Sequence, residues 1–212
     1  VPGFSDSNIS ETLSGVFSEA EKMGFTVVPI NLGHSESANE RNLQLLKIIG
    51  FDAVIILKDN VDINALREKY QLENTPILLV GHYVDDPKIH CIDTDREIGM
   101  YKAVKYLISL GHKRIAYLSA PLDNLTAIAR KKGIEKALAE ADPNSLHFTL
   151  HTGHDSIENG FQMAGTLMKD TKEERPTAIV AFNDLVAMGC LHALNTYKYK
   201  VPDDISVIGF DD

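Results

Sequence analysis

The sequence predicts an α/β fold of two lobes, each built on a doubly wound parallel sheet. Short apolar segments of strand length alternate with longer helical segments along the whole chain. The clearest unit spans 176–212, where the apolar runs 177–182 and 205–210 flank a helical segment. Near 82–99 two short apolar segments follow one another without a full helix between them. We therefore place the crossing between the lobes there, which divides the chain into an N-terminal lobe (1–92) and an incomplete C-terminal lobe (93–212).

The individual elements follow from hydrophobic spacing and from residues that end helices. Apolar runs predict strands at 25–30, 53–57, 76–80, 89–92, 114–118, 146–150, 177–182 and 205–210. Amphipathic spacing predicts helices at about 8–23, 36–49, 62–70, 97–110, 124–141, 156–168 and 184–197. Gly111 is the predicted residue after a helix C-cap, and Asp184 is the predicted N-cap of the last helix. Regular alternation of strands and helices favours parallel sheets with right-handed crossovers.

Composition excludes several classes of function for this chain. Its 30 acidic and 21 basic residues give a formal net charge of −9, which argues against nucleic-acid binding through a basic face. It contains no apolar run long enough for a membrane span. Cys91 and Cys190 lie far apart without metal-ligand spacing, so the sequence predicts two reduced thiols and no cofactor.

Polar side chains stand at the ends of two predicted strands. Asn183 and Asp184 follow the strand 177–182, and Asp211 and Asp212 follow the strand 205–210. In open parallel sheets, ligands bind beyond the carboxyl ends of the strands. Amide and carboxylate groups there suit vicinal hydroxyls of a sugar or the edge of a nucleobase. The alternatives are that Asn183 shapes the strand-helix turn and that Asp211 caps a following element.

Arg130 is predicted to lie at the same edge. It shares a helix face with Ile134 and Ala137 but lies one turn nearer the helix N-terminus. A guanidinium there can fork to hydroxyls or to a carboxylate, whereas the alternative is a surface arginine paired with a neighbouring acid. We expect Arg130→Ala to weaken ligand binding and to leave folding nearly intact.

Four segments of the chain resemble, in order and spacing, the effector-binding domain of the lactose/galactose-repressor (LacI/GalR) family. They are GHKRIAYLSAP, ARKKGIEKAL, PTAIVAFNDLVAMG and VPDDISVIGFDD. The resemblance implies two lobes of the periplasmic-binding-protein-like type I fold, hinged around a small-molecule cleft. It also implies a helix-turn-helix DNA-binding head before Val1 and further chain beyond Asp212, so this chain is expected to be a fragment. The family uses the positions of Arg130, Asn183 and Asp211 for ligand.

Several positions depart from the family pattern. Ser7, Asn8 and Ile9 replace a segment that often reads NPFF, Asp155 stands where a stacking aromatic is frequent, and Gly81-His82 replaces an acidic-basic pair. The cleft is therefore predicted to be polar, and its ligand to be charged or rich in hydroxyls: a sugar, a sugar phosphate or a purine-like molecule. The predicted ligand-binding residues are Asp6, Asn8, His82, Arg130, Asp155, Asn183 and Asp211.

Metal binding and catalysis are weaker alternatives. His147 and His151 point to one face of a predicted strand, but His154 falls in a turn and no carboxylate or cysteine completes a ligand set. The chain has no Walker loop, GxGxxG, HExxH or GxSxG motif, and no nucleophile-base pair suggests an enzyme.

The sequence favours a ligand-sensing domain of a bacterial, cytoplasmic transcription regulator, most simply a repressor. Operator DNA would then be bound only through an N-terminal domain outside this chain. A periplasmic sugar-binding protein of a transporter is the alternative, and residues upstream of Val1 distinguish the two. The nearly all-round apolar helix 184–197 predicts a homodimer that uses Met188 and His192, with Val186, Cys190 and Ala193 turned to the chain's own sheet.

Overall fold

The structure, a computed structural model, describes residues 7–32, 36–57, 61–123, 125–142 and 145–211, without the side chains of residues 7, 8, 36 and 37. The chain forms two compact units, Val1–Thr94 and Asp95–Asp212. Each unit contains a parallel sheet among the described residues, so the predicted parallel α/β architecture is confirmed.

The first unit carries a three-stranded parallel sheet of order β1-β2-β3. Its core consists of aliphatic side chains from these strands and from α4, among them Ile56, Ile63, Ile77, Leu79 and Ile89. The elements are α1 (Ser7–Lys22), α2 (Glu36–Leu43), α3 (Leu45–Ile49), β1 (Val54–Ile56), α4 (Ile63–Tyr70), β2 (Ile77–Val80) and β3 (Ile89–Ile92).

Two predictions for this unit are wrong. The segment 25–30 forms no strand, and Phe25 and Val28 are 57% and 40% exposed. The apolar run is too exposed to behave as a buried central strand, and Pro29 has no N–H for a ladder hydrogen bond. The predicted helix 36–49 is interrupted at Gln44, which separates the polar α2 from α3 with its buried Leu46.

The second unit has a four-stranded parallel sheet of order β5-β4-β6-β7. Predicted and observed elements agree to within a few residues throughout this unit, whose two central strands, Arg114–Ser119 and Ala178–Ala181, are largely buried on both faces. The elements are α5 (Arg96–Ser109), β4 (Arg114–Ser119), α6 (Leu125–Ala139), β5 (His147–Thr152), α7 (Ile157–Leu167), β6 (Ala178–Ala181), α8 (Asp184–Thr196) and β7 (Ser206–Ile208).

Glycines bring the helices of this unit together in pairs. A Cβ at Gly133 would lie 2.0 Å from the carbonyl oxygen of Glu97, so α6 can approach α5 this closely only without a side chain there.

The strand order reverses between β4 and β6, because the chain moves outward to β5 and then returns past β4. Such a reversal point opens a crevice at the carboxyl ends of the strands. The topology therefore predicts a crevice between the carboxyl ends of β4 and β6.

Two findings bear on the composition arguments. No helix among the described parts of the chain is long and apolar enough to cross a membrane. Both cysteines are free thiols, and burial raises the pKa of Cys190 to about 12, so this thiol stays protonated at neutral pH.

Candidate functional site

The buried polar residues of the described chain gather at this crevice. Apart from tyrosine, three polar or charged residues of the described ranges are buried: Ser119, Arg130 and Asn183, with exposed fractions of 0%, 4% and 8%. Ser119 ends β4, Asn183 follows β6, and Arg130 lies on α6, the helix after β4. Buried polar groups are costly unless they are paired, so their concentration at one edge marks a site built for polar chemistry.

Asn183 is the N-cap of α8. Its side-chain oxygen accepts a hydrogen bond from the backbone N–H of Val186 at 3.0 Å, and its backbone is extended, as an N-cap requires. The prediction that Asp184 caps this helix is wrong, because Asp184 is already the first helical residue. The Asn183 amide nitrogen is the part of this side chain that remains for other contacts.

Arg130 reaches from α6 across the switch point to the ends of β6 and β7. Its Nη1 donates to the carbonyl oxygen of Phe182, and its Nη2 lies 2.7 Å from Oδ1 of Asp211. The guanidinium carbon also lies 4.4 Å from the centre of the Phe182 ring and 4.2 Å from that of Phe210. The guanidinium is thus paired through both amino groups and contacted by two aromatic rings.

The Arg130–Asp211 pair is asymmetric in its exposure to solvent. The Arg130 side chain is 5% exposed, whereas that of Asp211 is 24% exposed. Burial lowers the pKa of Arg130 while Asp211 raises it, and an arginine pKa starts so high that the group stays charged. Asp211 also has a positive φ of 112°, which is rare for a residue with a side chain. The carboxylate is therefore the more accessible member of the pair.

Tyr117 lies in the buried layer next to this pair. It is fully buried on β4, and its hydroxyl has no hydrogen-bond partner. Burial raises the pKa of Tyr117, while nearby Ser119 and the Arg130 charge lower it. The Ser119 hydroxyl hydrogen is committed to the carbonyl of Ala120, at 2.8 Å. Tyr117 thus adds a fully buried hydroxyl close to Ser119 and Arg130.

An open cleft of about 360 Å³ lies at the same edge of the sheet. Its lining comes from the segments that follow the neighbouring strands β4 and β5: Pro121, Leu122, Thr152, Gly153 and His154. The volume falls within the range of roughly 300–1,000 Å³ that is usual for small-molecule sites. The second unit therefore has an open cleft of small-molecule size after β4 and β5, and its described lining includes none of Arg130, Asn183 and Asp211.

The other four residues of the predicted ligand set remain predictions. Asp155 is exposed and directly precedes Ser156, the N-cap of α7. His82 is half-buried directly after β2 in the first unit. Asn8 lies in α1 with its side chain outside the description, and Asp6 lies outside the described residues altogether. Within the described part of the second unit, the structure brings together Arg130, Asn183 and Asp211.

The histidines of β5 do not assemble a metal site. His151 pairs with the hydroxyl of Thr149 at 3.2 Å, and burial lowers the pKa of its imidazole. No group of three or more histidine, cysteine or carboxylate side chains within the described ranges can hold a metal ion.

Sequence reasoning missed the aromatic residues of the site. Phe182 and Phe210 are each the last residue of a predicted parallel strand and precede a polar residue. That repeated aromatic-polar pattern at two strand ends was the available signal, but it does not reveal that both rings lie against one arginine.

The outer face of α8 is partly apolar. Val186, Cys190 and Ala193 are fully buried, which confirms the predicted inner face. On the outer face Leu185 and Met188 are 40% and 55% exposed, and exposed His192 packs its ring on Phe161 with centroids 5.0 Å apart.

Comparison with known proteins gives consistent results. Residues 2–212 match the family described as periplasmic binding proteins and the sugar-binding domain of the LacI family. The chain is 30% identical over 202 residues to the HTH-type transcriptional repressor PurR of Mannheimia succiniciproducens, covering 95% of this chain and 60% of the relative.

Two solved structures of transcriptional regulators are similar to this chain over its whole length. A lac repressor dimer bound to operator and the anti-inducer ONPF superimposes with a TM-score of 0.83 at 27% identity, over 100% of this chain and 73% of that one. A sugar-binding transcriptional regulator of the LacI family from Escherichia coli, complexed with phosphate, gives a TM-score of 0.81 at 26% identity, over 100% and 76%. The chain spans about 60% of the length of the curated relatives it matches.

Proposed function

The chain belongs to the family of periplasmic binding proteins and LacI-family sugar-binding domains, and from this premise we propose that it is the effector-sensing domain of a transcriptional repressor. The relatives that resemble it over 95% of its length are repressors, which favours a regulator over the binding protein of a transporter. Its compartment would then be the bacterial cytoplasm, and its role would be to couple a small molecule to DNA binding elsewhere in the protein.

One observation carries the proposal: the buried polar residues converge on the switch point of the second sheet. Apolar side chains would fill that place at a lower desolvation cost than a paired arginine and a buried asparagine, which favours a ligand site there. We propose that the effector lies against Asp211 and Asn183, above Arg130, and extends into the cleft beside His154. The two units would be the two lobes predicted at 1–92 and 93–212. Asp6, Asn8, His82 and Asp155 remain predicted contacts.

A ligand screen tests this function directly. The purified chain is heated with neutral sugars, sugar phosphates and purines, and the midpoint of unfolding is recorded for each. A ligand at a hundred times its dissociation constant adds about 2.7 kcal/mol of stability, an increase that thermal unfolding detects. At least one class of compound is expected to raise the midpoint, and hits are checked by calorimetric titration. If no compound in these classes stabilises the chain, the proposal fails.

We also propose that operator DNA is bound only outside this chain. Non-specific DNA affinity comes mainly from basic residues, and here 30 acidic residues outnumber 21 basic ones. Fluorescence anisotropy with a labelled duplex at physiological salt is expected to show no binding by the isolated chain. Salt-dependent binding would contradict this division of labour.

A homodimer through the outer face of α8 is part of the proposal. The apolar stripe of Leu185 and Met188 is exposed in the single chain, and one similar structure is described as a dimer. Met188→Glu would place like charges across a two-fold axis and is expected to shift the chain toward monomer in analytical ultracentrifugation. Tyr106→Glu, an equally drastic change at an exposed position on α5, is the control and leaves the mass unchanged. An unchanged mass for Met188→Glu would exclude this interface.

A further inference from the structure

We infer that Tyr117 is a positioning residue for Arg130, and that its buried hydroxyl acts on the Nε edge of the guanidinium through one bound water molecule. Ser119 supplies the third group of this hydration site. The site lies inside the second unit, and the ligand contact predicted for Arg130 is left in place. Only the consequence for effector binding rests on the proposed function.

The register of the sheet brings Tyr117 and Ser119 close to the Arg130 guanidinium. β4 and β6 pair so that Ser119 lies level with Phe182, whose carbonyl oxygen accepts from Arg130 Nη1. Neighbouring strands are about 4.8 Å apart. Tyr117 lies two residues before Ser119 and therefore on the same face of β4. Burial raises the pKa of Tyr117, while Ser119 and the Arg130 charge act in the opposite direction, which agrees with this proximity.

Two buried polar atoms at this place have no hydrogen-bond partner among the residues that the structure describes. They are the hydroxyl oxygen of Tyr117 and the Nε of Arg130. Tyr117 is 0% exposed and Arg130 is 4% exposed, so bulk solvent serves neither group. A buried polar group without a partner costs free energy, and most such groups in proteins are paired with other protein groups or with ordered water. Two of them close together indicate a shared partner.

One water molecule satisfies both groups and uses a third group that lies beside them. The Ser119 hydroxyl gives its hydrogen to the carbonyl oxygen of Ala120 at 2.8 Å, so the Ser119 oxygen can still accept. The water accepts from the Arg130 Nε and from the Tyr117 hydroxyl, and it donates to the Ser119 oxygen. Buried waters typically make about three such bonds. Donors and acceptors therefore match without any change of protonation.

This arrangement leaves the other edge of Arg130 for an effector. Nη1 and Nη2 each carry two N–H bonds, and one from each serves the Phe182 carbonyl and the Asp211 carboxylate. Nε has a single N–H bond, which the water holds from the interior. A guanidinium is planar, so fixing Nε also fixes the directions of the remaining N–H bonds on Nη1 and Nη2. Tyr117 thereby orients the donors that an effector meets.

Tyr117→Phe tests the inference, because a bonded and an unbonded hydroxyl predict shifts of opposite sign. If the hydroxyl is bonded through water, its removal lowers the thermal unfolding midpoint by about 2–4 °C, the effect of one hydrogen bond in a chain of this size. If the hydroxyl is an unsatisfied buried group, its removal raises the midpoint. Tyr106→Phe is the control, since Tyr106 is 59% exposed on α5 and its loss of a hydroxyl should leave the midpoint unchanged.

A double-mutant cycle with Arg130→Met tests whether the water joins Tyr117 to Arg130. With the guanidinium removed, Tyr117→Phe is expected to lower the midpoint by less than half as much as it does in the unmodified chain. Equal effects in the two backgrounds would show that Tyr117 does not act on Arg130. If Arg130→Met does not fold, Ser119→Ala takes its place in the cycle, because it removes the acceptor for the same water.

A crystal structure of the unmodified chain locates the water directly. We expect one water oxygen within about 3.2 Å of the Tyr117 hydroxyl, the Ser119 oxygen and the Arg130 Nε. The inference is overturned if no oxygen lies there, or if the midpoint of Tyr117→Phe rises or stays unchanged. None of these measurements uses an effector, so a failed ligand screen counts against the proposed function alone.

Discussion

Replacement of Arg130 by alanine tests whether this arginine belongs to the folded core. The change removes the donor to the Phe182 carbonyl, the partner of Asp211 and the guanidinium between two rings. A buried carbonyl without a donor costs about 1–3 kcal/mol. Asp211 is partly exposed and can turn to water, so loss of the ion pair adds only about 1 kcal/mol after solvent screening. Lost ring contacts add roughly another 1 kcal/mol.

The expected loss of unfolding free energy is therefore about 3–5 kcal/mol, measured by urea denaturation of Arg130→Ala. This reverses the sequence-based expectation that the substitution leaves folding nearly intact, because that expectation placed the side chain at an open cleft. Lys131→Ala is the matched control on the next residue of α6. Lys131 is more than a third exposed and pairs with Glu135 on its own helix, so its loss should cost less than about 1 kcal/mol.

The stability difference between Arg130→Ala and Lys131→Ala shows whether Arg130 is part of the folded core. A cost below about 1 kcal/mol for Arg130→Ala, similar to that of Lys131→Ala, would refute the buried pair and return Arg130 to the ligand surface. Arg130→Met refines the result, since methionine retains most of the apolar stem. If Arg130→Met is as destabilising as Arg130→Ala, the polar contacts rather than the packing provide the stability.

Two further predictions concern stability. Gly133→Ala forces a Cβ to within 2.0 Å of the Glu97 carbonyl oxygen and is expected to lower the unfolding free energy, measured by urea denaturation, by about 1–3 kcal/mol. Gly15 lies in α1 with open space around it, so Gly15→Ala should raise the unfolding free energy by up to about 1 kcal/mol. Burial lowers the pKa of His112 and of His151. The stability that each neutral imidazole contributes is therefore fully present above the unfolded pKa of about 6.5. It is lost as the pH falls through the lowered pKa of the folded state. The unfolding free energy is expected to decline below about pH 6.5, and His112→Gln should flatten that decline; an unchanged pH profile would contradict the assignment.

The fold could be predicted because its signals are local. Residues 89–92 read as a strand and form one with the same bounds, and the helix predicted at 97–110 forms at Arg96–Ser109. Apolar periodicity identifies such elements without knowledge of their neighbours. The segment 25–30 shows the limit, since an apolar run becomes a strand only if a neighbouring strand pairs with it, and that partner is a tertiary matter.

Part of the candidate site could also be predicted from local sequence signals, and part of it could not. Arg130, Asn183 and Asp211 could be placed at one edge, because strand ends and first helical turns of a parallel sheet share that edge. The sequence could not show whether Asn183 or Asp184 is the N-cap of α8, because asparagine and aspartate are equally good N-caps. The extended backbone at Asn183 identifies it as the cap. The ion pair joins residues 81 positions apart and depends on side-chain geometry, which no spacing encodes.

The glycines of α5 and α6 explain why the arginine is buried. Gly133, three residues after Arg130, lets α6 press against the Glu97 backbone of α5. Gly99, on α5, makes room for Phe210, whose ring would lie 2.6 Å from a Cβ at that position. The same ring lies 4.2 Å from the Arg130 guanidinium. Gly133 and Arg130 therefore act together. Gly133 allows α6 to pack close to α5, and this close packing brings the Arg130 guanidinium to the ends of β6 and β7. A side chain at Gly99 would have to displace the Phe210 ring, which lies against the Arg130 guanidinium.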